Sequence, residues 1–197
     1  MKPIVTSEVY EENYCKRIAA KEWRYTTIPN VVKVLYDHFK PESVIDIGCA
    51  NGLHLKAFKD LGVKRLFGIE GTIHWAKHIE YNFGKDYIIA DLREDMNNSL
   101  RPFDLVISFE VLEHLEPQFA DQAVKNILSF GSVFCLSACP IKGGFHHFNP
   151  QPREYWIEKF ESQGAKYCKE ESESLQNIFK TINCSGWFKD SLKVFRK

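Results

Sequence analysis

An α/β fold with a doubly wound, mostly parallel sheet in a single domain is predicted for this chain of 197 residues by three observations. Short, continuous apolar runs alternate with helix-like stretches between residues 43 and 138, the pattern of strands covered on both faces. The first run, Ser43-Val44-Ile45-Asp46-Ile47, breaks into a glycine-bounded loop, Gly48-Cys49-Ala50-Asn51-Gly52, and then into the amphipathic Leu53-His54-Leu55-Lys56-Ala57-Phe58. A strand, glycine loop and helix in that order bring backbone N–H groups and a helix N-terminus to one point, where a polar or anionic ligand can dock. Acids also close three successive runs, Asp46, Glu70 and Asp91, and in a parallel sheet those ends share one rim.

The elements follow in order. Residues 8–22 read as a helix, with Ser7 as N-cap and Glu8, Glu11 and Glu12 complementing the dipole of the first turns. A second helix spans 29–39: Pro29 opens it, Val31, Val32, Val34 and Leu35 supply its apolar faces, and Pro41 stops it. After the first strand a helix over 53–61 ends at Gly62, and 65–70 forms the second strand. A helix over 72–83 leads to the third strand at 87–91, and the fourth is 103–109. A helix over 118–129 precedes the fifth strand at 132–138. Beyond 140 the pattern loosens into a His-, Gly- and Pro-rich loop (140–152) and a helix at 153–163 ended by Gly164. Strands follow near 166–171 and 192–196, with Lys169-Glu170-Glu171-Ser172-Glu173-Ser174 read as a solvated face or loop.

Composition bounds the function. Lys+Arg 26 against Asp+Glu 26 leaves zero formal charge, which argues against an electrostatically driven nucleic-acid binder. Hydrophobic content of 44% with 14% aromatic residues is that of a folded globule. Six scattered cysteines without a C-x-x-C pair predict buried free thiols rather than disulfides or a zinc site. With neither an apolar signal core nor a membrane-length run, a cytoplasmic protein is expected.

The glycine loop narrows the ligand. A dinucleotide fingerprint needs glycines at its first, third and sixth positions, where this chain has Gly48, Ala50 and Leu53. The Lys-Ser/Thr of a phosphate-cradling P-loop is also missing. An acid about 20 residues past such a loop is placed to accept both hydroxyls of a ribose, and Glu70 stands there.

The remaining pattern, D-x-G-x-A-N-G, resembles the cofactor loop of the Rossmann-like S-adenosylmethionine-dependent methyltransferases, with Ala50 in place of the usual middle glycine. Phe103-Asp104-Leu105-Val106 resembles that family's fourth-strand motif, and the likeness covers about residues 40–140. The resemblance implies a seven-stranded sheet with an antiparallel edge strand, and S-adenosylmethionine as cofactor. It implies that Asp46 and the loop Gly48, Cys49, Ala50, Asn51 and Gly52 place the methionine part, Glu70 with Gly71 the ribose, and Asp91 with Leu92 the adenine, with Phe109 beside them. Residues 1–40 then serve as a lid, 41–140 as the cofactor core and 141–197 as acceptor loop and closing strands, with Tyr10 and Tyr14 available to cover the cofactor and Trp75 for rim packing.

Three further segments, Phe109-Glu110-Val111-Leu112-Glu113-His114-Leu115, Ser137-Ala138-Cys139-Pro140-x-x-Gly143-Gly144 and His147-Phe148-Asn149-x-Gln151-x-x-x-Tyr155-Trp156, resemble a bacterial methyltransferase group associated with sugar and polysaccharide modification. An alcohol acceptor needs a base, and histidine suits that work near neutral pH. His147 and His114 are the candidates, with His146, Asn149 and Tyr155 as acceptor contacts, although loop packing accounts better for Tyr155 and Trp156 than an aromatic platform for a sugar does. Glu110, Glu113 and His114 stand at i, i+3 and i+4. With His147 they resemble the E-x-x-E-H segment that holds a divalent metal in small-RNA 2′-O-methyltransferases and ubiquinone-pathway O-methyltransferases, while acids in a first helical turn also favour the macrodipole without any ion.

The expected function is methyl transfer from S-adenosylmethionine to a hydroxyl or amine of a small polar acceptor, a sugar or sugar nucleotide being the first to try. Two alternatives stand beside it: a metal-dependent RNA 2′-O-methyltransferase, and an adenosyl-cofactor-binding module without catalysis.

Overall fold

The computed structural model describes residues 12–80, 83–96, 99–141 and 145–197. The Ser7 cap, Glu8, Tyr10, Glu11 and the Gly143–Gly144 pair lie outside the described residues. Two helices come first, α1 (Glu12–Ala19) and α2 (Glu22–Phe39). Strand β1 (Ser43–Ile47), helix α3 (Leu53–Asp60) and strand β2 (Arg65–Glu70) follow, then a 3₁₀ turn (Ile73–His78) and β3 (Tyr87–Ile89). β4 (Leu105–Phe109) runs into two 3₁₀ turns, Leu112–His114 and Pro117–Phe119, ahead of α4 (Ala120–Leu128) and β5 (Val133–Ser137). α5 (Arg153–Glu161), β6 (Lys166–Tyr167), α6 (Lys169–Lys180), α7 (Gly186–Asp190) and β7 (Lys193–Arg196) complete the chain.

The seven strands form one sheet in the order β3-β2-β1-β4-β5-β7-β6. β1 to β5 are mutually parallel, and β7 is antiparallel to both of its neighbours. The antiparallel strand is therefore one place in from the edge, where an edge position was expected. Its residues Lys193, Val194 and Phe195 are buried, and the two-residue β6 covers its outer side. The strand order reverses between β1 and β4, so the crevice beyond their carboxyl ends is the place for a ligand in such a sheet.

Alternation along the strands sends side chains to two cores. Val44, Leu66, Leu105, Ile107, Cys135 and Val194 pack under α2, α3, α6 and α7 with Val32, Leu35, Phe58 and Phe179. Ile45, Ile47, Phe67, Val106, Phe134 and Phe195 pack under α4 and α5 with Val124, Ile127, Trp156 and Phe160. Each fully buried aromatic or branched side chain contributes roughly 1.5–3 kcal/mol through the water it no longer meets. Asp104 secures the entry to this core: its Oδ2 accepts from the Glu42 and Ser43 amides and from Ser43 Oγ, tying the start of β1 to β4.

Several boundaries differ from the sequence reading. Pro29 lies inside α2, which starts at Glu22, and in the turns before it Thr27 Oγ1 donates to the Trp23 carbonyl at 2.8 Å. The helix expected over 72–83 is a 3₁₀ turn ending at His78, its first turn capped by Thr72 Oγ1 accepting from the His74 amide. The acidic stretch 169–174 is the first half of α6, whose buried Leu175, Gln176 and Phe179 give it a core-facing stripe. The strand expected over 166–171 is correspondingly only two residues long. All six cysteines are free thiols, and among the described residues no helix is long and apolar enough to cross a membrane.

Candidate active site

A cavity of about 460 Å³ opens at the carboxyl ends of β1, β2 and β4, within the size range of small-molecule sites. The glycine loop forms its floor. Gly48 has φ 79° and its place admits no side chain, since a Cβ there would come 2.3 Å from Val111 Cγ2. Ala50 also lies in the left-handed region, at φ 50°, and its amide donates to Glu70 Oε2 at 2.8 Å. Thr72 donates its amide to Glu70 Oε1 at 3.0 Å. Glu70 is thus the strut between the glycine loop and the end of β2. Burial pushes its carboxyl up to about 7, even though the amides of Ala50, Thr72 and Gly71 oppose that rise.

Asp91 is gripped by Arg93 two residues on: Nε lies 2.9 Å from Oδ1 and Nη2 lies 2.6 Å from Oδ2. The loop carrying this pair is fixed from α4 by the buried Asn126, whose Nδ2 donates to the carbonyls of Leu92 (2.9 Å) and Glu94 (2.8 Å). Asn126 Oδ1 in turn accepts from the Met96 amide at 3.2 Å.

At the other end of the cavity the chain leaves β4 through Glu110, which adopts φ 57° and donates its amide to the Ser137 carbonyl. Ser137 Oγ donates to Glu110 Oε1 at 2.8 Å. The 3₁₀ turn that follows points Glu113 and His114 at the cavity. Both Glu113 oxygens are buried without a hydrogen-bond partner among the described residues. Burial, with Glu110 beside it, holds the Glu113 carboxyl well above the usual carboxylate range, and burial raises Glu110 as well. His114 Nδ1 lies 3.0 Å from the His146 carbonyl, so it carries the proton and Nε2 bears the lone pair. Burial pushes His114 down to about 4. His147 stands edge-on to it at 4.9 Å between ring centroids, its own Nδ1 at 3.2 Å from the Ile141 carbonyl. One donor atom each from Glu113, His114 and His147 lie within 4.8 Å of one another.

Of the residues singled out from the sequence, Gly48, Ala50, Glu70, Gly71, Asp91, Leu92 and Phe109 line the cavity, as do Glu110, Glu113, His114 and His147. Asp46, Cys49, Asn51 and Gly52 are outside the lining: Asp46 is 1% exposed, with His54 Nδ1 at 3.5 Å from its Oδ2. His146, Asn149 and Tyr155 are outside the lining too. Asn149 is buried and donates its amide to the Glu113 carbonyl, pinning the histidine loop to the 3₁₀ turn. Tyr155 packs against Trp156 on α5. Glu110 is turned to Ser137 and stands outside the three-residue donor cluster. Tyr14 lines the cavity, stacked on Phe145 with centroids 4.4 Å apart, and buried Trp75 joins them.

The sequence reading passed over Arg24, Trp23, Arg93 and Trp187, which also face the cavity. Arg93 had a signal in its place two residues after a strand-end acid. Trp187 had none, because it reaches the site from a five-residue helix at the far end of the chain.

Comparison with known proteins adds the family. Residues 19–185 match the family described as "Methyltransferase domain". A tRNA U34 carboxymethyltransferase from Campylobacter hominis is 28% identical over 127 residues, 62% of this chain and 44% of that protein. The matched stretch thus spans less than half the length of this curated relative. Among solved structures, PigF with SAH superposes with a TM-score of 0.64 at 16% identity over 98% of this chain and 62% of that one. The small RNA methyltransferase HEN1 superposes with a TM-score of 0.58 at 17% identity, over 84% of this chain and 24% of that one. At those identities the two structures share the fold.

Proposed function

Since the chain belongs to the methyltransferase-domain family, S-adenosylmethionine-dependent enzymes of Rossmann-like fold, we propose that it methylates a hydroxyl of a small polar acceptor. The observation that carries this reading is the two-ended cavity: the carboxylates of Glu70 and Asp91 and the glycine loop at one end, Glu113, His114 and His147 at the other. The residues present fit the cofactor. Glu70 offers lone pairs to two ribose hydroxyls, and Gly48 and Ala50 put the loop backbone on the cavity wall.

Bound there, the cofactor supplies an activated methyl group on sulfonium sulfur. Transfer is an in-line displacement, in which the acceptor oxygen gains a bond to the methyl carbon as the carbon–sulfur bond breaks, so alignment dominates. Glu70, Asp91 and the loop hold one partner, and the aromatic walls exclude water. The acceptor proton passes to His147 Nε2. Burial takes the His114 imidazole down to about 4, which makes it a weak base.

A second reading is favoured by the donor cluster. The partnerless oxygens of Glu113 and the lone-pair Nε2 atoms of two imidazoles fit a divalent cation. These three residues would hold it, and it would acidify and orient the acceptor hydroxyl. An RNA 2′-hydroxyl then becomes an eligible acceptor, a reading to which the tRNA-modifying relative adds weight.

Titration calorimetry with S-adenosylhomocysteine tests the cofactor end. Glu70→Ala should weaken binding by at least ~1 kcal/mol through the loss of a charged hydrogen-bonding partner, and an unchanged affinity would remove Glu70 from the ribose. Methyl transfer to sugar nucleotides and to RNA ends, with and without chelator, tests the other end. Activity lost to chelator and restored by Mn²⁺ or Mg²⁺ favours the metal reading, and indifference to chelator favours His147 alone.

A further inference from the structure

We propose that the acceptor is a vicinal amino alcohol whose protonated amine docks on Glu113 while the neighbouring hydroxyl faces His147, an inference that rests on the hydroxyl-methylating reading of the cavity. In that reading His147 takes the acceptor proton and Glu113 has no task. Yet Glu113 is fully buried, lines the cavity, and has both carboxylate oxygens without a hydrogen-bond partner among the described residues. Leaving a buried carboxylate in that state is costly unless a cation or a donor meets it. The surroundings add negative charge, because Glu110 stands beside it. Of the cations that line the cavity, Arg93 is committed to Asp91, while Lys21 and Arg24 come from the start of α2. Lys193 of β7 lies within electrostatic reach of Glu110 and Glu113, but it is outside the lining and its Nζ donates to the Ser191 carbonyl at 2.9 Å. The positive charge that Glu113 calls for arrives with the ligand.

Geometry selects an ammonium. The polar groups next to Glu113 accept rather than donate: His147 and His114 turn Nδ1 to the carbonyls of Ile141 (3.2 Å) and His146 (3.0 Å), which puts the lone pair on Nε2. One ligating atom from each of Glu113, His114 and His147 lies within 4.8 Å of the other two. An ammonium has three N–H donors and no acceptor. Two acceptors that each receive such a bond at ~2.8 Å from a tetrahedral nitrogen stand ~4.6 Å apart. A nitrogen therefore fits between Glu113 and His114 within that spread. The same short span puts the amine on Glu113 and the hydroxyl at His147 on adjacent carbons. Phe148, 47% exposed and next in sequence to His147, gives the cation an aromatic wall. An ammonium has no lone pair to offer, so the methyl goes to oxygen. The oxygen–carbon bond forms as the carbon–sulfur bond breaks, the hydroxyl proton passes to His147 Nε2, and the ammonium keeps its three protons. Among small polar acceptors, an amino sugar with a free amine has this arrangement.

Glucosamine, N-acetylglucosamine and glucose share a ring and differ at one carbon, which bears an ammonium, a neutral amide or a hydroxyl. With chelator present, transfer from S-adenosylmethionine to glucosamine should run at a kcat/KM at least tenfold above the other two, and mass spectrometry should place the methyl on oxygen. Glu113→Gln keeps the shape and removes the charge, so it should erase the preference while S-adenosylhomocysteine still binds within twofold of the wild-type affinity. Equal rates on the three sugars, no transfer to glucosamine, a methyl on nitrogen, or a preference that survives Glu113→Gln would each overturn the inference. Activity abolished by chelator would do so too, since the cation on Glu113 would then be a metal ion. If Glu113→Gln does not fold, the wild-type preference among the sugars decides alone. Should the wild-type protein bind no S-adenosylhomocysteine, the cofactor reading itself fails, whereas intact binding with no preference removes only the amine.

Discussion

Ala50 occupies a backbone conformation, φ 50°, that costs an L residue roughly 1–2 kcal/mol and costs glycine almost nothing. The family loop usually has glycine at this position, so the departure legible in the sequence is a site of stored strain. Ala50→Gly keeps the amide that donates to Glu70, and it should raise stability by ~0.5–1 kcal/mol after the extra freedom of the unfolded chain is subtracted. A lower melting temperature would show the alanine methyl to be needed for packing.

Glu70 gives a second prediction at this scale. Its folded carboxyl titrates near 7 against an ordinary value of 4.5, so burial favours the protonated form. The stability it contributes is present in full below about 4.5 and is lost as pH rises through 7. Ribose hydroxyls donate to the ionised form, so cofactor binding should strengthen from pH 6 to pH 8. Glu70→Gln should flatten that dependence. A wild-type affinity independent of pH across this window would mean that Glu70 is not the group receiving the ribose. His114, titrating near 4, stays neutral throughout the window and does not confuse the measurement.

Among the elements, α4 does more than cover the sheet. Its Asn126 holds the loop that carries Asp91 and Arg93 by two carbonyls and one amide. Asn126→Ala leaves those buried groups unpaired, and it should cost about 2 kcal/mol of stability and weaken cofactor binding. A loss below ~0.5 kcal/mol in chemical denaturation would contradict this.

Which elements the sequence revealed follows from how they are stabilised. β1, β2, β4 and β5 are nearly continuous apolar runs, and the buried sheet demands such runs, so they could be read directly. α6 escaped because its first turns, Lys169 to Ser174, are dominated by charge, and only Leu175 and Phe179 show the buried stripe. The turn after β4 escaped because helical spacing suggested one face for Glu110, Glu113 and His114. The chain instead bends at Glu110 and brings His114 against His147 from a loop 33 residues later in the sequence. Arg24 was hidden for a related reason: a charged residue in a helix gives no hint that the helix lies across a distant glycine loop.

For the molecule as a whole, the reversal of strand order between β1 and β4 is what opens the crevice. The two cores on either face hold the rim rigid, while α1, the start of α2 and the loop around Phe145 close over it, joined by the stack of Tyr14 on Phe145. The central claim is that this crevice holds the cofactor lengthwise, ribose on Glu70 and sulfur toward Glu113, His114 and His147. A crystal structure of the protein with S-adenosylhomocysteine tests it most directly. Both ribose hydroxyls should lie within hydrogen-bond distance of the Glu70 carboxylate, with the sulfur facing the two histidines. An adenosyl group bound elsewhere, or a Glu70 that still contacts only the loop amides while the ribose lies apart, would contradict the account.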